Sequence, residues 1–483
     1  TQINDCVLTV PSFYTQHERR ALLDAATLAN LNVLALIDET TAAGLHFGID
    51  RVDEEPMNVL FYNMGGSSIQ VSVIQYHSHE KSKKKTGSFR VLGKGWDSNL
   101  GGSSFDARLV DHMADEFNAM WNKKRNDGTE KDVRAFPRPV SKLKIQANKI
   151  KHVLSANNDM PIFIDSLHDD VNYQSHMDRA TFEQLCHDLI LKTTAPIDMA
   201  LKAANLTLKE IDAVELIGGG MRVPKVQEQI SYVLGESLDL GMHINSDESM
   251  ALGAAFHGAN VSTAFRVRSV GMTDINPFPI VVSLEEMEIE ESTGLFGLGG
   301  GGKKDVDEDA EVWSKQATIF KANGKVGVKK TIAFTQEEEI NVAIDYEDNE
   351  LLPKGTARAI ERYNVTGIVE FAKEMKEKEL GKPKVSLQFD LSTSGLVMLV
   401  KAEAAVEETY TVEEDEEVEI EDDEEEAAAD EGEAAADEGK DEEKSEASEK
   451  DEEVKSDDSE KEEVSEDSEK EKESEDSENE EQK

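Results

Sequence analysis

The chain has 483 residues, a formal net charge of −49, 38% hydrophobic residues and 32% charged ones. The charge is uneven: Glu413 to Lys483 hold 40 acidic and 8 basic residues, a net of −32, which leaves −17 for the rest. This balance argues against nucleic-acid binding, because phosphates would be repelled; two cysteines, Cys6 and Cys186, supply neither a disulfide framework nor a metal site, and no apolar run approaches the roughly 18 residues of a membrane span.

The length suits two or three domains. The chain starts at Thr1-Gln2-Ile3-Asn4, close to a strand-like run, and reads as a fragment without its N-terminal part. Val7-Leu8-Thr9-Val10 is a short strand stopped by Pro11. Thr15 and Glu18 have the spacing of a capping box, with Leu22, Ala26 and Ala29 following at helical intervals. Residues 32–37 form a second strand. Residues 58–76 read as a hairpin with Gly65-Gly66 at its tip, and helical patterns cover 103–122, 138–156 and 181 to about 205. A further helix opens at Val223-Pro224, where proline is tolerated in the first turn. Alternating strands and helices indicate an α/β domain.

The pattern changes near Asn276. Short strand-like runs follow at 279–282, 318–320, 331–334, 340–344, 367–369 and 385–389. In the last, Val385, Leu387, Phe389 and Leu391 alternate with polar residues, so one face is buried. Ser394-Gly395 suits a tight turn into a final strand. These runs predict a second, all-β domain. No aromatic residue follows Tyr410, and the Glu/Asp/Lys/Ser tail cannot bury enough apolar surface to offset its chain entropy, so it is expected to be disordered. The divisions are 1–262, 263–411 and 412–483.

Two glycine-rich turns carry the chemistry. Gly65-Gly66-Ser67-Ser68 follows the apolar run 58–62, and Gly218-Gly219-Gly220-Met221-Arg222 follows the run 213–217. Glycines at a strand end leave backbone N–H groups open to phosphate oxygens. Two such turns about 150 residues apart suggest a nucleotide held between two similar halves. Gly297 to Lys304 nearly spells a P-loop, but Lys304 stands where Ser or Thr would ligate Mg²⁺ and an acidic run follows; a plain loop is the better reading. The histidines show no metal-ligand spacing, and Trp96, Trp121 and Trp313 read as packing residues.

Five motifs occur in order: Val10-Pro11-Ser12-Phe13, Ile37 to Ala43, Leu100-Gly101-Gly102, Ile217 to Pro224, and Ile244-Asn245-Ser246-Asp247-Glu248. Over residues 1–410 the chain resembles the actin-like ATPase domain and β-sandwich of the seventy-kilodalton heat-shock chaperones. Val153 to Asn157 and the acidic segment narrow the resemblance to their large endoplasmic-reticulum relatives, the hypoxia-up-regulated (170-kilodalton glucose-regulated) proteins. It implies a partial α/β actin-like ATPase domain, an all-β substrate-binding sandwich and a disordered acidic tail. It implies ATP and Mg²⁺ as ligands, unfolded polypeptide clients, a smaller luminal chaperone as partner, and residence in the endoplasmic-reticulum lumen. Three sequons, at Asn205, Asn260 and Asn364, agree with that compartment.

Position by position, the resemblance assigns nucleotide binding to Gly65, Gly66, Ser67, Ser68, Asn148, Lys151, Ser155, Gly219, Gly220, Arg222 and Asp247. It assigns Glu39 to the carboxylate that arranges the attacking water, and Pro11 and Arg19 to an interdomain relay. No direct metal ligand is assigned. Two departures stand out: Asn63 and Gln70 replace family aspartates, and an amide is a poorer partner for Mg²⁺ and no proton acceptor. Three readings follow: an ATP-hydrolysing chaperone; a non-hydrolysing holdase or nucleotide-exchange factor, which Asn63 favours; and, least supported, a small-molecule kinase of the same superfold.

Overall fold

The computed structural model describes residues 5–51, 55–81, 84–125, 130–262, 267–268, 270–287, 313–348 and 350–408. The near-P-loop run and the acidic tail lie outside them. β1 (Asp5–Val10) and β2 (Asn32–Asp38) pair in parallel around α1 (Gln16–Leu28), and α2 (Glu39–Gly48) follows directly on β2. The capping box at Thr15 forms: the Thr15 N–H donates to Glu18 Oε2 at 2.7 Å.

β3 (Met57–Met64), β4 (Ile69–Lys81) and β5 (Lys84–Asp97) make an antiparallel meander with Gly65-Gly66 in its first turn. Two long helices follow, α3 (Gly102–Arg125) and α4 (Pro137–Ala156), then the hairpin β6 (Asp159–His168) and β7 (Val171–Asp178). The helix expected over 181–205 is divided into α5 (Arg179–Leu185), α6 (His187–Lys192) and α7 (Ala195–Ala204). Pro196 in the first turn of α7 has no N–H to continue the α6 ladder, so the chain restarts there. β8 (Ala213–Ile217), a 3₁₀ turn at Gly219–Arg222, α8 (Pro224–Leu234), β9 (Leu240–Gly241) and α9 (Ser249–Val261) complete this part.

Its sheet is buried on both faces. In β3, Leu60, Tyr62 and Met64 enter a core shared with α3, α4 and α7, while Val59 and Phe61 enter a second core with α2 and α9. Alternation with period two is what a strand buried on both sides requires. β10 (Gly271–Thr273) adds a parallel edge strand beside β5, so the order is β10-β5-β4-β3-β8-β9.

β11 (Ile275–Asn276), β12 (Ile280–Glu286), β13 (Ser314–Phe320), β14 (Gly324–Lys325), β15 (Val328–Thr335), β16 (Ile340–Tyr346) and β17 (Ala359–Val365) then lead to α10 (Ile368–Glu377), β18 (Lys384–Leu391) and β19 (Val397–Ala405). The sheets β13-β12-β16-β17 and β15-β18-β19 share one apolar core that includes Val282, Ile344, Leu387 and Phe389. The all-β expectation needs one correction. Residues 368–377 are helical, not a strand: Gly367, at φ +92, starts the helix, and Ile368 and Met375 are buried one helical stripe apart. Both parts belong to one compact unit, Thr1–Tyr410.

α9 meets α2 at Gly253, where a Cβ would overlap the Ala42 carbonyl. That close approach seats the helix that carries Glu39. Gly253→Ala is therefore expected to force the two helices apart and to cost about 1–3 kcal/mol, read as a lowered urea midpoint.

Candidate functional site

β3 and β8 are parallel neighbours, with Asn63 opposite Ile217, so both glycine turns leave the same end of the sheet side by side. The carboxyl ends of parallel strands are where open α/β sheets take ligands. In the first turn the Gly65 N–H donates to Ser68 O at 3.0 Å; the start of α3 packs on it, with the Gly102 N–H donating to Gly65 O at 3.0 Å and Ser103 N–H to Gly66 O at 2.7 Å. The second turn begins at Gly218, at φ +84, where a Cβ would stand 2.6 Å from Asn63 Oδ1. Glycine is needed there both for the left-handed backbone and for the contact.

Between the turns and α4 lies a cavity of ≈ 180 Å³ lined by Gly65, Gly66, Gly102, Asn148, Lys151, His152, Ser155, Gly219, Gly220, Arg222 and Val223. The α4 residues stand at i, i+3, i+4 and i+7, one helical face. Lys151 Nζ donates to Gly102 O at 2.8 Å and to Asp106 Oδ2 at 2.9 Å; Asn148 Nδ2 reaches the same carboxylate at 3.2 Å. Arg222 pairs with Asp247 at 2.5 Å on the rim. Although the chain is strongly acidic, no carboxylate among the described residues lines this cavity. Its polar lining is backbone amide, hydroxyl, carboxamide, imidazole, ammonium and guanidinium, a set suited to an anionic ligand.

Eight of the sequence-derived nucleotide-site residues thus share one cavity. Ser67 and Ser68 belong to the first turn but do not line it, and Asp247 acts through Arg222. Gly102, His152 and Asp106 are additions from the structure. His152 has a sequence signal as the i+4 member of the 148/151/155 face; Asp106 and Gly102 become neighbours of α4 only through α3–α4 packing.

Glu39 and Asn63 lie beneath the turns, outside the cavity lining. Asn63 and Gln70 are cross-strand partners in β3 and β4, both buried, on the face covered by the first turn of α2. Gln70 Nε2 donates to Glu39 Oε2 at 2.6 Å and Asn63 Nδ2 to the same oxygen at 3.1 Å. Burial raises the Glu39 pKa above the ordinary carboxylate range, outweighing the two amide hydrogen bonds that lower it, and the Asp38 charge raises it further. Asn63 Oδ1 is buried without a hydrogen-bond partner. It is an acceptor that a cation or its water shell would satisfy, so these residues fit a hydrated Mg²⁺. No group of three or more candidate metal-binding side chains occurs among the described residues.

Pro11 and Arg19 lie elsewhere: Pro11 is in the turn before α1, where its carbonyl accepts the Tyr14 N–H, and Arg19 stands where α1 meets the second β-rich part. Lys94 is fully buried on β5, bonded to Asp38 Oδ2 at 2.6 Å, to Asp274 and to Ile275 O at 3.1 Å. Arg19 NH2 takes the other Asp38 oxygen at 2.7 Å, while its NH1 donates to Ser394 O at 3.1 Å. Burial alone would raise Asp38, but Arg19 and Lys94 outweigh it and hold the carboxyl below its ordinary range. Burial alone would lower Lys94, and Asp274 and Asp38 outweigh that to raise it.

Residues 1–297 match the family described as "Hsp70 protein". "Heat shock 70 kDa protein 17" of Arabidopsis thaliana is 36% identical over 419 residues, 85% of this chain and 45% of that protein. "Hypoxia up-regulated protein 1" is 34% identical in Mus musculus and 33% in Homo sapiens, each over 415 residues, 84% of this chain and 39% of the relative. The chain thus spans less than half the length of these relatives.

Removing Lys94 leaves two buried carboxylates short of a counter-ion, so Lys94→Met is expected to destabilise the fold by about 3–5 kcal/mol in urea unfolding. The depressed Asp38 contributes stability that is full above its unfolded pKa and lost as pH falls through the folded value. The raised Lys94 contributes stability that is full below its unfolded pKa and lost as pH rises through the folded value. The network's contribution is therefore expected to be complete between about pH 4 and about pH 10 and to fall away outside that window, which a pH series of melting temperatures on wild type and Lys94→Met checks.

Proposed function

The chain belongs to the Hsp70 family, and we propose that it is the nucleotide-binding and peptide-binding portion of a chaperone of the endoplasmic-reticulum lumen. The observation that carries this reading is the carboxylate-free cavity where two strand-end glycine turns meet one face of α4. Residues 1–262 would hold ATP, with the Gly66, Gly219 and Gly220 amides and the Arg222 cation at the phosphates, and Asn148, Lys151, His152 and Ser155 along α4 facing the adenosine. Mg²⁺ would lie near Glu39 and Asn63 and neutralise phosphate charge. Residues 263–411 would bind extended polypeptide clients by main-chain hydrogen bonds and side-chain pockets, and the acidic segment 412–483 would keep client complexes soluble. Among the described residues no helix is long and apolar enough to cross a membrane. The sequon residues Asn205 and Asn364 are exposed, which is compatible with glycan attachment in the lumen.

For hydrolysis, Glu39 would orient the attacking water. Its carboxylate already receives two amide hydrogen bonds, and neither amide can take a proton. That observation favours the second reading, a holdase or an exchange factor for a smaller luminal chaperone, in which nucleotide sets conformation and is turned over slowly. In either reading nucleotide acts only to the extent that it binds the two conformations unequally.

Gly219→Asp brings a carboxylate to the cavity at a position where a Cβ has room, with only Arg222 NH1 within 4 Å, at 3.9 Å. Calorimetry is expected to show no ATP binding by this variant, with its ligand-free melting temperature unchanged; retained binding would exclude the site. In the full-length protein, Asn63→Asp is expected to raise the single-turnover hydrolysis rate by on the order of tenfold, and an unaltered rate would show that the lost carboxylate is not limiting.

A further inference from the structure

One side chain under the cavity faces two ways. Gln70 is almost fully buried on β4. Its Oε1 accepts the Ser12 backbone N–H at 2.8 Å, and its Nε2 donates to Glu39 Oε2 at 2.6 Å. The orientation is forced: a backbone N–H only donates and a carboxylate only accepts, so the amide oxygen must face Ser12 and the NH₂ must face Glu39. Ser12 belongs to the short turn between β1 and α1, closed by the Tyr14 N–H on Pro11 O at 3.0 Å. From that turn the chain enters α1, whose first turns grip the β-rich part. The Gln16 N–H donates to the Tyr346 hydroxyl at 2.6 Å, Gln16 Oε1 accepts the Val397 N–H at 3.0 Å, and Arg19 and Arg20 donate to Ser394 O and Val397 O, each at 3.1 Å.

We propose that Gln70 is a positioning residue that ties the Glu39 carboxylate to the β1–α1 turn, so that the docking of the β-rich part on α1 and the placement of Glu39 are set together. Only an amide fits. A carboxylate at 70 could still accept from Ser12 but could not donate to Glu39; an apolar side chain could do neither. The inference rests on the reading of Glu39 as the carboxylate of the nucleotide site, but the tie itself is a property of this chain's own residues.

Among the described residues, Asp38 is the charged group that bears on Glu39, and its other neighbours are neutral amides. Asn63 and Gln70 approach from the sheet and Asp38 precedes it on β2; Asp38 is neutralised by Arg19 from α1 and Lys94 from β5, and Asp274 stands behind Lys94. A second carboxyl at position 70 would therefore meet Glu39 with no cation between them, and such a pair shares a proton as pH falls.

The test uses the full-length protein without nucleotide, as wild type, Gln70→Leu and Gln70→Glu. Hydrogen exchange is followed in the segments 12–20 and 392–398 at about pH 8 and about pH 5.5, spanning the range in which paired buried carboxyls titrate, with rates corrected for the intrinsic pH dependence of exchange. Wild type is expected to be protected at both values. Gln70→Leu is expected to exchange about tenfold faster at both, and Gln70→Glu about tenfold faster at the higher pH only. Recovery of Gln70→Glu in acid, when a shared proton restores a donor between the two carboxyls, is a signature that a misfolded variant would not give. Wild-type protection in Gln70→Leu, or a Gln70→Glu profile insensitive to pH, overturns the proposal. Calorimetry of wild type with ATP is run alongside: absence of binding would remove the nucleotide-site reading of Glu39, while the exchange comparison would still decide whether the tie exists.

Discussion

An ammonium group with no exposed surface, Lys94 on β5, sits between the carboxylates of Asp38 and Asp274. Stripping an ion of water costs several kcal/mol, recovered only when partners surround it closely. Here the partners come from distant segments. Asp38 ends β2, Asp274 lies between β10 and β11, and Arg19 of α1 closes the second oxygen of Asp38. Asp274 also accepts from Thr41 Oγ1 at 2.8 Å, in the first turn of α2. The cluster thus clamps α1, α2, the sheet and the entry to the β-rich part at one point.

The position of that clamp matters because Asp38 is the residue before Glu39. Asp38 occupies the N-cap of α2, yet its carboxylate makes no cap hydrogen bond and is committed to Arg19 and Lys94. The first turn of α2 is therefore held from the side, by cations, and by the Thr40–Ser72 hydroxyl pair at 2.6 Å. Glu39 is delivered over Asn63 and Gln70 as a result. A carboxylate on the first turn of a helix also lies in the favourable end of the helix dipole, which partly offsets the burial that raises its pKa.

The cavity above is built on a different principle. Where Glu39 is placed by charge, the phosphate-sized space is made by backbone. Two parallel strands end side by side, each in glycines, and α4 contributes one face of amide, ammonium, imidazole and hydroxyl groups. Acidic groups are near but paired: Asp106 with Lys151 and Asn148, and Asp247 with Arg222. A strongly acidic chain thereby keeps a pocket that would not repel an anion.

Much of this is legible in the sequence because it is local. The apolar run of β3, the alternation in β18, the Thr15 capping box, glycines directly after apolar runs and the helical pattern over 138–156 are all set by neighbours within a few residues. α10 reads as a strand from its first residues because a glycine and two apolar residues at 367–369 look alike at the start of a helix or a strand; Met375, a further two turns on, decides it. Lys94 carries no signal, since a lysine between glycines on a strand has the appearance of a solvated charge until the sheet, β2 and residue 274 are assembled around it. The same holds for Gln70, whose two partners lie 58 and 31 residues away. The residue order determined most of the strands and helices, α10 excepted, and where glycines follow apolar strands; which buried charges and amides meet was decided only by the tertiary structure, because electrostatic and hydrogen-bond partners are chosen by distance in space, and desolvation makes that choice count.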